Sequence, residues 1–234
     1  SWAFKKKTKF FDIVTYTGTG VAQNISHNLG GDVGFLLIKR TDSTGNWRCW
    51  HRGLPGTGSN MEFNQTGAYE TATTVFNGTD PTSTQFSVGT NSNVNASGGT
   101  YVAYLFAHET DASSLIKCDI YTGTSATNHA ITLGWEPQWL LIKRADAVED
   151  WLMFDALRGM GSSNTARLSA NTSNAEDLPS AIVVPTATGF NLISSHESVN
   201  SSSGSYIYMA IRNSFIPTIT YDPSLQWSGG TAPT

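Results

Sequence analysis

The phrase Leu-Leu-Ile-Lys-Arg occurs twice in this chain, at 36–40 and at 140–144, and after six further residues each copy is followed by tryptophan. Other phrases recur in the same order: YTGTG with YTGTS, HNLG with ITLG, PTSTQFSVG with PTATGFNLI, and VNASGGTYVAYLFA with VNSSSGSYIYMAIR. The offset within each pair stays between 104 and 106 residues. Because chance does not produce an ordered set of phrases at a nearly constant offset, the sequence indicates a tandem duplication.

The duplication predicts how the chain is divided. We expect the end of a preceding domain or a linker at 1–10, a first β module at 11–108, a connector at 109–117, a second β module at 118–213, and an extended tail or a link to a following region at 214–234. The chain begins with Ser1 and shows neither a starter methionine nor a signal peptide. We therefore expect it to be a piece of a longer polypeptide.

Composition indicates an all-β fold. Charged residues make up only 14% of the chain, whereas about a quarter is usual, and Ser, Thr, Asn and Gly replace them. This mixture suits short strands joined by tight turns. We predict two tandem β-sandwich-like modules of about 100 residues each, with very little helix. The last strand of each module is apolar at consecutive positions and is predicted to be buried on both faces. One helical turn is expected over 173–180, SNAEDLPS.

The repeated phrase itself has two interpretations. Arginine and tryptophan flank a six-residue loop in each copy, so Arg40 is predicted to stack on Trp47, and Arg144 on Trp151, at the base of a hairpin. In the other interpretation, the pairs Lys39/Arg40 and Lys143/Arg144 bind anions. The structural interpretation is favoured, because a duplicated binding site usually decays in one copy.

Aromatic side chains are the candidate ligand contacts, since exposed Trp and Tyr on rigid β scaffolds often stack against sugar rings. Trp47 and Trp151 match between the repeats and are predicted to fill the core. Trp50 and Tyr69 lie at positions that differ between the repeats and are the candidates for ligand binding.

The sequence shows no pattern typical of catalysis. No two histidines have the spacing of a local zinc site, and nucleophile-elbow, P-loop and dinucleotide-binding patterns are missing. The convergent carboxylates of a glycosidase are neither shown nor excluded. We therefore predict a protein without enzymatic activity, with no catalytic residues, metal or cofactor. Cys49 and Cys118 are predicted to be buried free thiols.

Charge and hydropathy limit the classes of partner expected for this chain. The formal net charge of −4 gives no general attraction to nucleic acid or to anionic membranes. Nothing approaches the eighteen consecutive apolar residues of a membrane-spanning helix. The basic run KKKTK at 5–9 is predicted to be a solvated turn.

Taken together, several phrases resemble a tandem module of structural proteins of tailed phages, frequent in marine and cyanobacterial phages. The phrases are SWAFKKKTKFFDIVTYTGTG, LLIKRTDSTGNW, VNASGGTYVAYLFAH and GWEPQWLLIKRADAVEDW, with SYIYMAIRN, and the resemblance covers about residues 1–213. In that family the module often follows a lectin-like domain that ends in a phrase similar to SWAF.

The resemblance implies a location and a class of partners. It implies a virion protein, assembled in the host cytoplasm, that contacts other virion proteins and forms a homo-oligomer, most often a trimer. It suggests a tail-fibre or adhesin module for attachment to a host-surface glycan. The alternatives are a capsid decoration or tail connector protein with a purely structural role and, third, a fragment of a glycan-degrading tailspike. The resemblance brings no catalytic residues.

Overall fold

A computed structural model describes residues 3–161, 165–178 and 180–213. Its strands are β1 (Phe11–Thr17), β2 (Gln23–Ser26), β3 (Asp32–Arg40), β4 (Arg48–His51), β5 (Ser59–Glu62), β6 (Glu70–Thr71), β7 (Gln85–Val88), β8 (Thr100–His108), β9 (Ile116–Thr122), β10 (His129–Thr132), β11 (Pro137–Arg144), β12 (Trp151–Asp155), β13 (Leu168–Ser169), β14 (Val183–Thr186), β15 (Gly189–Leu192) and β16 (Ser205–Arg212). The described helices are α1 (Thr73–Phe76), α2 (Ser92–Asn95), α3 (Glu197–Asn200) and a 3-10 turn at Ala156–Arg158.

The described chain is all-β with very little helix, as predicted. The helical turn expected over 173–180 is wrong for the residues described there. Asp177 instead forms an antiparallel bridge with Arg167, and the two side chains make an ion pair of 2.8 Å. A single helical turn has little stability of its own, so the backbone pairing of these two segments decides the local structure.

Two large antiparallel sheets form the body of the molecule. The first has the strand order β1-β8-β3-β4-β5-β6, and the second has the order β13-β12-β11-β16-β9. Four strands of each half therefore follow one order, β1-β8-β3-β4 in the first and β9-β16-β11-β12 in the second. Small sheets accompany both, β2-β7 in the first half and β10-β15-β14 in the second. The domain boundaries drawn from the repeat remain a prediction.

The pairing register shifts at the same place in both large sheets, within β3 of the first sheet and within β11 of the second. The register of β3 against β8 shifts between Val33 and Phe35, and that of β11 against β16 shifts between Pro137 and Trp139. The residue at the first shift is Gly34, where an added Cβ would lie 2.7 Å from the Cβ of Cys118. Glycine is needed there because strand β9 approaches its backbone closely.

Strands β11 and β16 of the second large sheet are buried on both faces. Side chains of β11 and β16 alternate between two core clusters. Leu140 and Ile142 pack against Phe190 and other residues of the small sheet. Leu141 and Trp139, on the opposite face of β11, join the core of the first half. The consecutive burial predicted for SYIYMAI is thereby confirmed. We call the face-to-face contact between the two large sheets the seam.

The molecule has two distinct ends. Strands β1 and β3 end, and β8 begins, at the end that we call the loop end; β9, β11 and β16 are arranged in the same way. A backbone bond from Tyr69 N–H to Ala145 O (2.8 Å) joins loops of the two halves there. At the opposite end, which we call the terminal end, Ala3 and Asn213 line one cavity of about 740 Å³. The first and last described residues therefore lie at the same end of the molecule.

Helices of the described residues are too short or too polar to cross a lipid bilayer.

Candidate functional site

Loops of both halves meet at the loop end. The residues of the repeated phrase lie beside these loops: Lys39, Arg40, Trp47, Lys143, Arg144 and Trp151. The first of these loops follows β3 and the equivalent one follows β11. Residues 63–69 of the first half cross over to the second half, where Glu149 N–H donates to Thr66 O over 3.0 Å. The two halves thus present one continuous surface of loops.

The lysines of the repeated phrase close these loops from inside. Lys39 Nζ donates to Gly45 O over 3.1 Å, and Lys143 Nζ donates to Ala147 O over 3.2 Å. Lys143 is fully buried, and burial lowers its pKa to about 8. Both ammonium groups therefore organise the backbone of their own loops.

The arginines hold the same loops from outside. Arg40 Nε lies 2.8 Å from Asp42 Oδ1, and Arg144 Nε lies 3.0 Å from Asp146 Oδ1. The hydrogen bond from Arg40 lowers the pKa of Asp42 to about 2. All four cations of the repeated phrase thus have partners in their own loops, which favours the structural interpretation over anion binding.

The predicted stacking of arginine on tryptophan is wrong in the second half. Lys143 stands directly opposite Trp151 in the pairing of β11 with β12. Because successive side chains of a strand point to opposite faces, Arg144 lies on the face away from Trp151. Trp151 instead packs in the seam, with its ring 5.0 Å from Phe63 and its Nε1 3.3 Å from Glu62 O.

The stacking is wrong in the first half for the same reason. Trp47 stacks on Tyr104 with the ring centroids 6.2 Å apart. Tyr104 is paired with Leu37 across the sheet, and Leu37 and Arg40 point to opposite faces because they are three positions apart. Both tryptophans have structural roles. The alternation of side chains between the two faces of a strand could have predicted the faces on which they lie.

Sequence reasoning missed the polar groups that hold the loop end together. Asn95 is fully buried; its Oδ1 accepts from Thr19 N–H over 2.8 Å, and its Nδ2 donates to Val21 O over 2.6 Å. In the second half Asn200 Oδ1 accepts from Thr124 N–H over 2.9 Å. Each asparagine therefore ties the turn after the first strand of its half to the short helix before the last strand.

A tyrosine accompanies each of these asparagines. Tyr101 donates its hydroxyl to Ser92 O over 2.8 Å and accepts from Ala96 N–H over 2.7 Å. Tyr206 O–H donates to Glu197 O, and its oxygen accepts from Ser201 N–H over 2.8 Å in the second half. The signal for both pairs was present in the recurring phrase that contains Val-Asn and, six residues after the asparagine, Tyr.

Of the two candidate ligand contacts, the structure leaves one exposed. Trp50 is only 6% exposed, and its Nε1 lies 3.2 Å from Asp80 Oδ1, so its ring faces the core and the expectation that it stacks on a ligand is corrected. Tyr69 is 36% exposed at the loop end. Its backbone N–H bonds across to the second half, which fixes its position.

Metal-binding groups and thiols were searched among the described residues. Among residues 3–161, 165–178 and 180–213, no group of three or more His, Cys, Asp or Glu is placed to hold a metal ion. Cys49 and Cys118 are free and buried, as predicted. Burial raises the pKa of both thiols well above the ordinary value.

One comparison with known proteins identifies a family. A family model described as Domain of unknown function (DUF7483) matches residues 4–214. The chain belongs to the DUF7483 family. The match of this DUF7483 domain spans both halves and the connector between them, so the seam and the loop end lie inside the family's own boundaries.

No curated protein matches the DUF7483 domain. A solved structure titled "Crystal Structure of the STIV MCP" aligns with a TM-score of 0.22 and 9% sequence identity, over 86% of this chain and 95% of that chain. A TM-score that low does not indicate a shared fold.

Proposed function

We propose that this DUF7483 domain is a structural part of a phage virion, a tail-fibre or adhesin module that presents its loop end to a glycan on the host surface. One observation carries the proposal. Ala3 and Asn213, the first and last described residues, line one cavity at the terminal end, while the loops of both halves gather at the opposite end. A module attached at its terminal end holds its loops away from the attachment point.

Two further features support this arrangement. The sequence resembles tandem modules of tailed-phage structural proteins, and such proteins display domains on a virion. The two halves also share one apolar core across the seam, so the loops of both are held in a fixed relation, which lowers the entropic cost of binding.

Tyr69 is the residue proposed to contact the glycan. It is partly exposed and lies where the loops of the two halves meet. An aromatic ring with a hydroxyl offers an apolar face to a sugar ring and a polar group to its hydroxyls. The role is binding without hydrolysis, and new reducing ends released from a bound polysaccharide would contradict it.

The test is binding of the purified chain to an array of bacterial capsule and O-antigen polysaccharides. We expect Tyr69→Ala to weaken the affinity for a bound polysaccharide by about three- to tenfold. The substitution keeps the backbone bond to Ala145, because that bond uses the N–H of residue 69. The matched control is Leu157→Ala, which removes a fully exposed side chain at the terminal end.

Equal effects of the two substitutions would reject the assignment of the loop end. The chain's place on the particle is tested by cryo-electron microscopy of the virion: density at the distal tail supports an adhesin, whereas density on the capsid lattice or at a tail junction supports the decoration or connector role instead.

We further propose a homotrimer, as is common for fibre-like virion parts. The sequence supports this proposal with apolar residues after the second module that could pack against a neighbouring subunit: Phe215, Ile216, Ile219, Tyr221 and Trp227. These residues lie outside the described part of the chain. Light scattering of residues 1–234 at high concentration tests it, and a monomer throughout would count against it.

A further inference from the structure

A groove runs across the terminal end, from the segment before β1 to the second half. It consists of two adjoining cavities of about 480 Å³ and 740 Å³. Phe10, Gln138 and Ile211 line both cavities, so the two are continuous. Phe10 lies directly before β1, whereas Gln138 belongs to β11 and Ile211 to β16. The groove is therefore formed by residues that are far apart in the sequence.

The duplication shows what fills the corresponding place in the first half. Gln138 and Leu157, which line the groove, correspond to Gly34 and Gly53, 104 positions earlier in the repeat. Strand β9 covers both glycines, because an added Cβ would lie 2.7 Å and 2.9 Å from its side-chain atoms. Since a strand fills this place in the first half, an extended segment fits the open place in the second.

The wider cavity offers apolar side chains to such a segment. Phe4 is 38% exposed and Leu157 is fully exposed, and Trp139 lines the cavity beside them. Asp155, which also lines it, already has a partner, because its Oδ2 lies 2.6 Å from Arg158 Nε. Exposed apolar side chains beside a cavity favour an occupant that carries apolar side chains of its own.

The narrower cavity adds positive charge. Lys5, Lys6, Lys7 and Arg212 line it. Lys6 Nζ lies 2.9 Å from Asp12 Oδ1 and is paired. In the part of the chain that the structure describes, the other three cations form no ion pair. Although the whole chain has a net charge of −4, this face attracts an anionic occupant.

We propose that the groove receives an extended acidic segment of a neighbouring virion protein, with apolar side chains between its carboxylates. Its apolar side chains cover Phe10, Leu157 and Ile211, and its carboxylates pair with the three unpaired cations. That the partner belongs to a virion rests on the proposed function, in which the terminal end is the point of attachment. The chemistry of the segment rests on the groove alone.

Other occupants match the groove less well. A second copy packed face to face would bring the same cations to this surface, and like charges repel. Nucleic acid is disfavoured by the net charge of −4. Residues 214–234 of this chain carry a single carboxylate side chain, that of Asp222, against three unpaired cations. A segment with several carboxylates from another protein is the better match.

The probe is a fluorescein-labelled nonapeptide of alternating glutamate and leucine, titrated with residues 1–234 and followed by fluorescence anisotropy. We expect a Kd of about 10–100 μM. Replacing the glutamates of the peptide by lysine, or its leucines by serine, should weaken binding by about tenfold or more. Carbodiimide cross-linking followed by mass spectrometry should join carboxylates of the peptide to Lys5 or Lys7.

Variants of the chain test the two parts of the groove separately. Lys5→Glu/Lys7→Glu, at two exposed positions, should weaken peptide binding by about tenfold or more. The matched control Lys9→Glu/Lys117→Glu makes the same change in net charge outside the groove and should weaken binding by less than about twofold. Leu157→Ala should weaken it by about three- to tenfold. The variants within the groove should leave the affinity for polysaccharide at the loop end unchanged.

Four results would overturn the proposal. They are equal binding of the acidic peptide and its lysine or serine versions, equal weakening by the two double variants, tighter binding of a single-stranded DNA nonamer than of the peptide, and a cross-link from Lys5 or Lys7 to Asp222 of the same chain. Peptide binding without polysaccharide binding would reject the proposed function and support the groove, whereas polysaccharide binding without peptide binding would do the reverse.

Discussion

Removal of the Asn200 side chain should destabilise the loop end of the second half. Asn200 is fully buried and uses all four of its hydrogen-bonding positions. Its Nδ2 donates to Ala126 O (2.9 Å) and Ser194 O (3.0 Å), and its Oδ1 accepts from Thr124 N–H (2.9 Å) and faces His129 Nδ1 (3.2 Å). Asn200→Ala leaves two carbonyls and one N–H without these partners.

A buried polar group without a partner costs about 1–3 kcal/mol. Three such groups, with some water entering from the nearby surface, give an expected loss of about 3–5 kcal/mol in the free energy of unfolding. The equivalent substitution in the first half, Asn95→Ala, should cost about as much, because Asn95 Nδ2 donates to Val21 O and Gly89 O while its Oδ1 accepts from two donors.

The assay is urea unfolding followed by circular dichroism, with the free energy taken from the midpoint and the slope. Asn24→Ala is the matched control, because Asn24 is exposed on β2 and its loss should change stability by less than about 0.5 kcal/mol. A loss below about 1 kcal/mol for Asn200→Ala, or an equal loss for the control, would refute the reasoning that buried asparagines hold the turns.

Two further substitutions test the packing of the seam and the buried lysine. Gly34→Ala should cost about 1–3 kcal/mol in urea unfolding, because the new Cβ would meet Cys118, whereas Gly67→Ala, with open space around the Cβ, should not destabilise; equal effects would contradict the close approach. Lys143, with its folded-state pKa lowered to about 8, should make stability rise with pH between about 8 and 10.5, by up to about 3 kcal/mol, since the unfolded chain binds the extra proton in that window. Lys143→Met should lack this rise when unfolding free energies at pH 8 and pH 10 are compared, and an unchanged rise would show that another group causes it.

The sequence predicted which residues act as repeated structural parts but not always their contacts. Lys39 and Lys143, with Arg40 and Arg144, were found from the repeated phrase. Alternation along β11 then decides that Lys143, and not Arg144, shares a face with Trp151. The assignment of partners was wrong because it considered distance along the chain and left out the faces of the strand.

The candidate site was predicted only in part, and the physical reason is exposure. Trp50 and Tyr69 looked alike as aromatic residues at positions that differ between repeats. Trp50 is covered because it packs in the core cluster with side chains distant in sequence, whereas Tyr69 stays at the surface. Burial depends on side chains distant in sequence, and a single sequence does not show which of these come together.

The sequence by itself determined the all-β class, the strand-forming segments and the recurrence of one set of parts, because alternation, turn residues and repetition are local properties of the chain. Only the tertiary structure decided that the two large sheets face each other across a seam. That contact buries Cys49 and Trp151 in one core and sets His51 and His108 against carbonyls of the second half. The bonds of Trp151 and His51 join residues about 90 and 160 positions apart in the sequence. Such contacts form only when the apolar faces of both sheets are removed from water together.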